Sequence, residues 1–153
     1  MDPKLSVWSA PPSMDTGVPT PICRTTERGF YCAYLLSDRE SGRVAVLRFD
    51  TVLYLCFGYP NDEALSGHPL WRYGLSNYAF YQVEHSPLIK KMEEQNSGHR
   101  MHRPGIYSSF NHWIATFHDE TLEVVAQSAS VAGISLLTQD EAIEELLKER
   151  SNR

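Results

Sequence analysis

Short runs of aromatic and β-branched residues, separated by polar turns, are the feature that most constrains the fold of this chain. Residues 29–37 and 42–49 are two such runs on either side of the polar stretch DRES, which is the pattern of a β-hairpin. Residues 51–57 continue as a third predicted strand after Asp50, and residues 78–84 form a fourth. We therefore expect a mainly antiparallel sheet that begins as a meander.

A second hairpin is predicted near the C-terminus. Residues 113–117 and 122–126 flank the polar sequence HDET, and pairing across a two-residue turn sets Phe117 opposite Leu122. The face that carries these two side chains and Trp113 is apolar, so it is expected to meet the core.

Two helices complete the predicted fold. One begins at Pro87, with Ser86 as its N-cap, and ends before Gly98. The other covers residues 139–150 and follows a T-x-x-E capping box that starts at Thr138. These elements predict an α+β fold with one antiparallel sheet of five to six strands and two helices packed on it.

The chain has 153 residues, which is the size of one domain of roughly 100–200 residues. Five of its nine prolines lie within the first 21 residues, where they block helix and interrupt a strand ladder. We expect residues 1–22 to form an extended arm and residues 23–150 to form a single α+β domain.

The net charge and the length of the apolar runs limit the cellular environments and the partners that we expect for this protein. No apolar run approaches the roughly 20 residues that span a bilayer, and the first residues lack the pattern of a secretory signal. A cytoplasmic protein without membrane contact is expected. The formal charge of −5 makes nucleic acid an unlikely partner, because phosphate binding needs concentrated Lys and Arg.

The three cysteines form no CxxC pair, and their odd number favours reduced thiols over a disulfide framework. Cys32 and Cys56 lie inside apolar runs, so both are expected to be small buried core residues.

Two segments, GYPNDEALSGHPL at residues 58–70 and TFHDETLEVVA at residues 116–126, resemble segments of a family of small bacterial proteins. The resemblance covers about half of the chain. It implies a bacterial cytoplasmic protein and directs attention to this loop and this hairpin. It brings no activity, cofactor or catalytic residue with it.

The loop over residues 58–74 is long and rich in aromatic residues, which are enriched where proteins bind partners. The candidate binding residues are Tyr59, Asn61, His68, Trp71 and Arg72 in the loop, with Arg100 and Arg103 in a local basic segment. The partner would be a small polar ligand or a protein, and a homo-oligomer is left open.

Acid–base chemistry is the second possibility. In the predicted register His118 lies on the same face as Glu123, and Asp119 is adjacent in sequence, so the three could form a histidine base with carboxylate support. No Gly-rich phosphate loop and no G-x-S-x-G nucleophile elbow accompanies them.

No cofactor is required by the sequence. If a metal such as Zn²⁺ binds, the candidate ligands are His68, His99 and His102, because Zn²⁺ takes three or four His, Cys or carboxylate ligands. Our first hypothesis is a non-catalytic binding or interaction module that uses the 58–74 loop. The alternative is a small metal-dependent or His/Glu acid–base hydrolase-like enzyme.

Overall fold

A computed structural model describes residues 1–17 and 20–151. Seven strands form one antiparallel sheet in the order β1-β5-β6-β7-β4-β3-β2. The strands are β1 Lys4–Val7, β2 Ile22–Thr26, β3 Gly29–Leu35, β4 Val44–Gly58, β5 Phe80–Glu84, β6 Asn111–Thr116 and β7 Thr121–Ser135. The helices are α1 Pro87–Asn96 and α2 Gln139–Ser151, with short 3₁₀ helices at Arg39–Ser41, Asp62–Gly67 and Trp71–Tyr73.

The predicted α+β class is confirmed, but the sheet has seven strands rather than five to six. Two short strands, β1 and β2, were missed. Conversely, the two strands predicted on either side of Asp50 are one long strand, β4. Thr51 has a positive φ of 54° and the register with β7 shifts between Val52 and Tyr54, so the chain bulges here and does not turn back.

Part of the predicted arm, residues 1–22, pairs with the sheet. β1 pairs with β5, and the Trp8 N–H continues that ladder by donating to the Phe80 carbonyl at 3.0 Å. Met14 is 3% exposed within the main core. The prolines therefore interrupt this segment without detaching it. Of the predicted arm, Val18 and Pro19 lie outside the described residues.

The sheet is strongly curled. The rings of Tyr34 in β3 and Phe80 in β5 have centroids 5.3 Å apart, although three strands separate β3 from β5 in the sheet. Four spacings of about 4.8 Å would hold them roughly 19 Å apart in a flat sheet. The concave face encloses the main core, whose members include Phe30, Tyr34, Leu47, Phe49, Phe80, Trp113, Phe117 and Leu122.

The convex face is covered in two places. Ala142 and Ile143 of α2 pack on a cluster from β3 and β4 that includes Tyr31 and Val46. At the other end, Leu65, Leu70 and Leu75 of the connection between β4 and β5 pack on Tyr81, Val83 and Ile114.

Thr116 ties this connection to the sheet. Its side-chain oxygen donates to the Ser76 carbonyl at 2.8 Å and accepts from the Ala79 N–H at 3.0 Å. Thr116 is 1% exposed, so both bonds are shielded from water.

The hairpin of β6 and β7 has the predicted apolar face but a different register. Trp113 pairs with Val124 and Ala115 with Leu122, a slip of two residues from the predicted pairing. The turn has four residues, closed by the Phe117 N–H that donates to the Glu120 carbonyl at 2.9 Å, and not two. A slip of two keeps every side chain on its face, because side chains alternate with a period of two.

Both predicted helix starts are confirmed. The Ser86 hydroxyl accepts from the Ile89 N–H at 3.1 Å. In the capping box, the Thr138 hydroxyl accepts from the Glu141 N–H and the Glu141 carboxylate accepts from the Thr138 N–H, each at 3.2 Å. Within the described residues, no helix has both the length and the apolar character needed to cross a membrane.

We predict that Trp8→Ala lowers the free energy of unfolding by more than about 2 kcal/mol, because the indole fills space between three rings of the concave core. Its centroid lies 6.0 Å from Phe49, 6.3 Å from Phe80 and 6.1 Å from Trp113. Urea denaturation measures the change. The control is Val7→Ala, because Val7 is exposed. Equal, small effects of both variants would mean that this segment is a dispensable arm.

Candidate functional site

Glu123 lies between two histidines on the convex face of the sheet. Its Oε1 is 2.8 Å from His68 Nε2 and 3.8 Å from His112 Nε2. Three elements supply the three residues: Glu123 is in β7, His112 is in β6, and His68 ends the 3₁₀ helix Asp62–Gly67. All three side chains are largely buried.

The backbone fixes the tautomer of His68. The Leu70 N–H donates to His68 Nδ1 at 3.0 Å, so this nitrogen carries no proton. The ring proton is therefore on Nε2, which donates to the Glu123 carboxylate at 2.8 Å. A hydrogen bond to an ionised carboxylate is roughly twice as strong as one between neutral groups.

His112 is the most deeply buried member, with 2% of its side chain exposed. Its Nδ1 is 2.8 Å from the Ser86 hydroxyl, and its Nε2 has no hydrogen-bond partner among the described residues. A lone pair on Nε2 would face the carboxylate of Glu123, whereas a proton there is attracted to it. We therefore assign the proton to Nε2 and the donor role to the Ser86 hydroxyl.

Burial and charge set the protonation states of the site. Burial lowers the pKa of His112 to about 4, against the opposing attraction of Glu123. Burial also works to raise the pKa of Glu123, but the hydrogen bond from His68 and the nearby His112 outweigh it, so the net shift is downward. At neutral pH the site thus holds one carboxylate beside a neutral His112.

A cavity of about 290 Å³ opens onto these groups. Its walls are largely apolar. The lining residues are His68, Pro69, Leu70, Pro87, Leu88, Lys91, His112 and Glu123. The volume is close to the lower end of the range for small-molecule pockets, about 300–1,000 Å³.

The candidate zinc ligands do not come together. Among the described residues, no three or more His, Cys, Asp or Glu side chains form a group that could hold a metal ion. His99 and His102 lie in the turns after α1, where their Nδ1 atoms contact the Met101 N–H and Asn96, each at 3.0 Å. His68 presents an N–H to Glu123, and a protonated nitrogen has no lone pair to offer a metal.

The predicted pairing of His118 with Glu123 is absent, because the register slip places Ile114 opposite Glu123. His118 instead contacts Asp119 at 2.8 Å and lies 3.8 Å from Asp62, with 42% of its side chain exposed. These carboxylates, Asp119 first, raise the pKa of His118. Of the proposed catalytic residues, only Glu123 lies in the cavity.

The predicted binding residues are dispersed. In the loop, His68 lines the cavity, whereas the Asn61 side chain caps a 3₁₀ helix by accepting from the Ala64 N–H at 3.0 Å. Arg72 stacks on the Tyr73 ring, with its guanidinium carbon 4.7 Å from the ring centroid. The remaining four are exposed: Tyr59, Trp71, Arg100 and Arg103.

Three site residues were missed by sequence reasoning: Ser86, Lys91 and His112. Ser86 was assigned only as a helix cap. The signal for His112 was its position two residues before Ile114, since alternation along β6 sets both on the face that receives Glu123. That signal becomes useful only with the correct register.

No protein family, curated protein or solved structure matches the chain. The bacterial family that the two sequence segments resemble thus stays an expectation. The chemistry of the site is argued from its own geometry.

We predict that Asp119→Asn lowers the pKa of His118, because it removes the hydrogen-bonded negative charge that contributes most to the upward shift. Glu123→Gln is the matched control and leaves that pKa unchanged, since Glu123 contacts His68. NMR titration of the His118 ring in the three proteins measures both effects. A lower pKa in the Glu123 variant would restore the predicted His118–Glu123 pair.

We also predict that His112 makes the fold sensitive to acid. Below pH 6.5 the unfolded chain binds a proton on this ring, while the folded protein binds it only near pH 4. The free energy of unfolding therefore falls between about pH 6.5 and pH 4, by as much as about 3 kcal/mol from this group. Urea denaturation across this range tests it. His112→Asn keeps an acceptor for Ser86 without a titrating ring, so it shows a weaker pH dependence; an unchanged slope would refute the assignment.

Proposed function

We propose that this protein is a binding module for a small, mostly apolar molecule, held in the cavity between the 68–70 segment, α1 and the convex face of the sheet. One observation carries the proposal: a cavity with largely apolar walls is lined by both Glu123 and His112, and the buried Nε2 of His112 has no hydrogen-bond partner among the described residues. Concave apolar sites with a few convergent polar groups are the usual form of a ligand pocket.

The polar groups select the chemistry of the ligand. His112 Nε2–H lacks an acceptor among the described residues, whereas the Glu123 carboxylate accepts from His68 and has lone pairs left for a further donor. A hydroxyl group can accept one hydrogen bond and donate another at the same time. A carboxylate would be repelled by Glu123, and an ammonium group could not accept from His112. The ligand we propose is therefore an aromatic or alicyclic molecule with one hydroxyl group.

The acid–base alternative rests on the same carboxylate. Glu123 is hydrogen-bonded to His68, as a supported general base would be. The electrostatics favour binding over catalysis, however, because the pKa values of Glu123 and His112 both lie below their ordinary values. General bases work best with a pKa near the working pH.

Phenol and toluene test the proposal, because they have nearly the same shape and differ by a hydroxyl and a methyl group. We expect phenol to bind with a millimolar dissociation constant, typical of so small a ligand, and more tightly than toluene. Protein NMR titration measures both constants and locates the shifts, which are expected at Leu70, Leu88 and His112.

Three variants control the experiment. Leu88→Trp fills the cavity and abolishes binding of both compounds, whereas Lys90→Ala on the exposed side of α1 leaves binding intact. His112→Asn weakens phenol binding and leaves toluene unaffected. Binding of neither compound would overturn the proposed function. Equal binding of both would retain the pocket but exclude the hydroxyl ligand.

A further inference from the structure

Two of the three cysteines face each other across neighbouring strands. Cys23 in β2 is directly opposite Cys32 in β3 in an unbroken register of five residue pairs. The Cα atoms of opposite residues in antiparallel strands are about 4.5–5.5 Å apart, with both side chains on the same face. A disulfide needs a Cα separation of about 4.4–6.8 Å, so the register already meets its main geometric requirement.

The two thiols differ in access. Cys32 is fully buried in the main core, and Cys23 packs at the margin of that core with part of its surface exposed. The neighbouring Cys23 thiol, first, and burial, second, raise the pKa of Cys32. The strand register places the two thiols next to each other, and a reagent from solvent reaches the partly exposed Cys23 first.

We propose that Cys23 and Cys32 form a redox modification site, in which a low-molecular-weight disulfide converts the two thiols into one intramolecular disulfide. The Cys23 thiolate attacks one sulfur of the reagent, and the other half leaves as a thiolate that takes up a proton. Cys32 then loses its proton and attacks the Cys23 sulfur, releasing the second half as a thiol. Two protein thiols are oxidised, and one reagent disulfide is reduced to two thiols.

Cys56 provides an internal comparison. It was expected to be a buried core residue, but it is exposed on β4, because its strand position points away from the concave core. Its partner across the sheet is Glu123, which offers no second sulfur. Cys56 therefore stops at the mixed disulfide with the reagent, whereas Cys23 proceeds to the internal bond.

Incubation of the 153-residue chain with oxidised glutathione tests the proposal. After incubation, free thiols are alkylated in denaturant and the protein is digested with trypsin without reduction. Cleavage after Lys and Arg places Cys23, Cys32 and Cys56 in separate peptides, residues 5–24, 29–39 and 49–72. We expect peptides 5–24 and 29–39 to be joined by a disulfide and peptide 49–72 to carry glutathione. Dithiothreitol restores all three free peptides.

Two variants sharpen the result. Cys56→Ser retains the joined peptides, whereas Cys23→Ser leaves Cys32 in its alkylated form, because the buried thiol alone does not reach glutathione. The proposal is overturned if Cys23 and Cys32 are both recovered as alkylated peptides, or as glutathione adducts, while Cys56 carries glutathione. The wild-type digest decides this outcome even if a variant fails to fold.

Discussion

The packing of Trp8 against three aromatic rings is the contact on which the rest of the architecture depends. Those rings come from β4, β5 and β6, so the indole holds strands together that a flat sheet would keep apart. The resulting curl places one continuous apolar core on the concave face. The convex face is left to α2 and to the β4–β5 connection, and the cavity lies where that connection meets α1.

Local sequence patterns were sufficient to predict those features of the fold that are determined by residues close together in the chain. The caps at Ser86 and Thr138 and the apolar face of β6 and β7 are examples. β1 and β2 have only four and five residues, and prolines nearby weaken the strand signal. Both are stabilised by pairing with distant strands, and no local propensity reports such pairing.

The grouping of the site residues could not be predicted from local sequence patterns. His68 and Glu123 are 55 residues apart, and they meet only because the β4–β5 connection folds back over β6 and β7. The predicted pairing of Phe117 with Leu122 would set Thr116 opposite Glu123, whereas the observed register, two residues away, sets Ile114 there. Each side chain still lies on its predicted face. The face of the sheet on which a side chain lies is therefore easier to predict than the residue that a charged side chain contacts. A register error of two residues keeps apolar side chains in the core, but it separates the two partners of a hydrogen bond.

The connection between β4 and β5, which forms one wall of the cavity, is hydrogen-bonded to the β-sheet region at both of its ends. Near its start, the Thr121 hydroxyl donates to the Pro60 carbonyl at 2.9 Å, and the Asp62 N–H donates to the His118 carbonyl at 2.9 Å. Near its end, Thr116 holds Ser76 and Ala79. A segment anchored in this way has already lost its conformational entropy on folding. A molecule that enters the cavity would find a preorganised surface, so its association rate would be set by diffusion and desolvation and not by the closing of a loop.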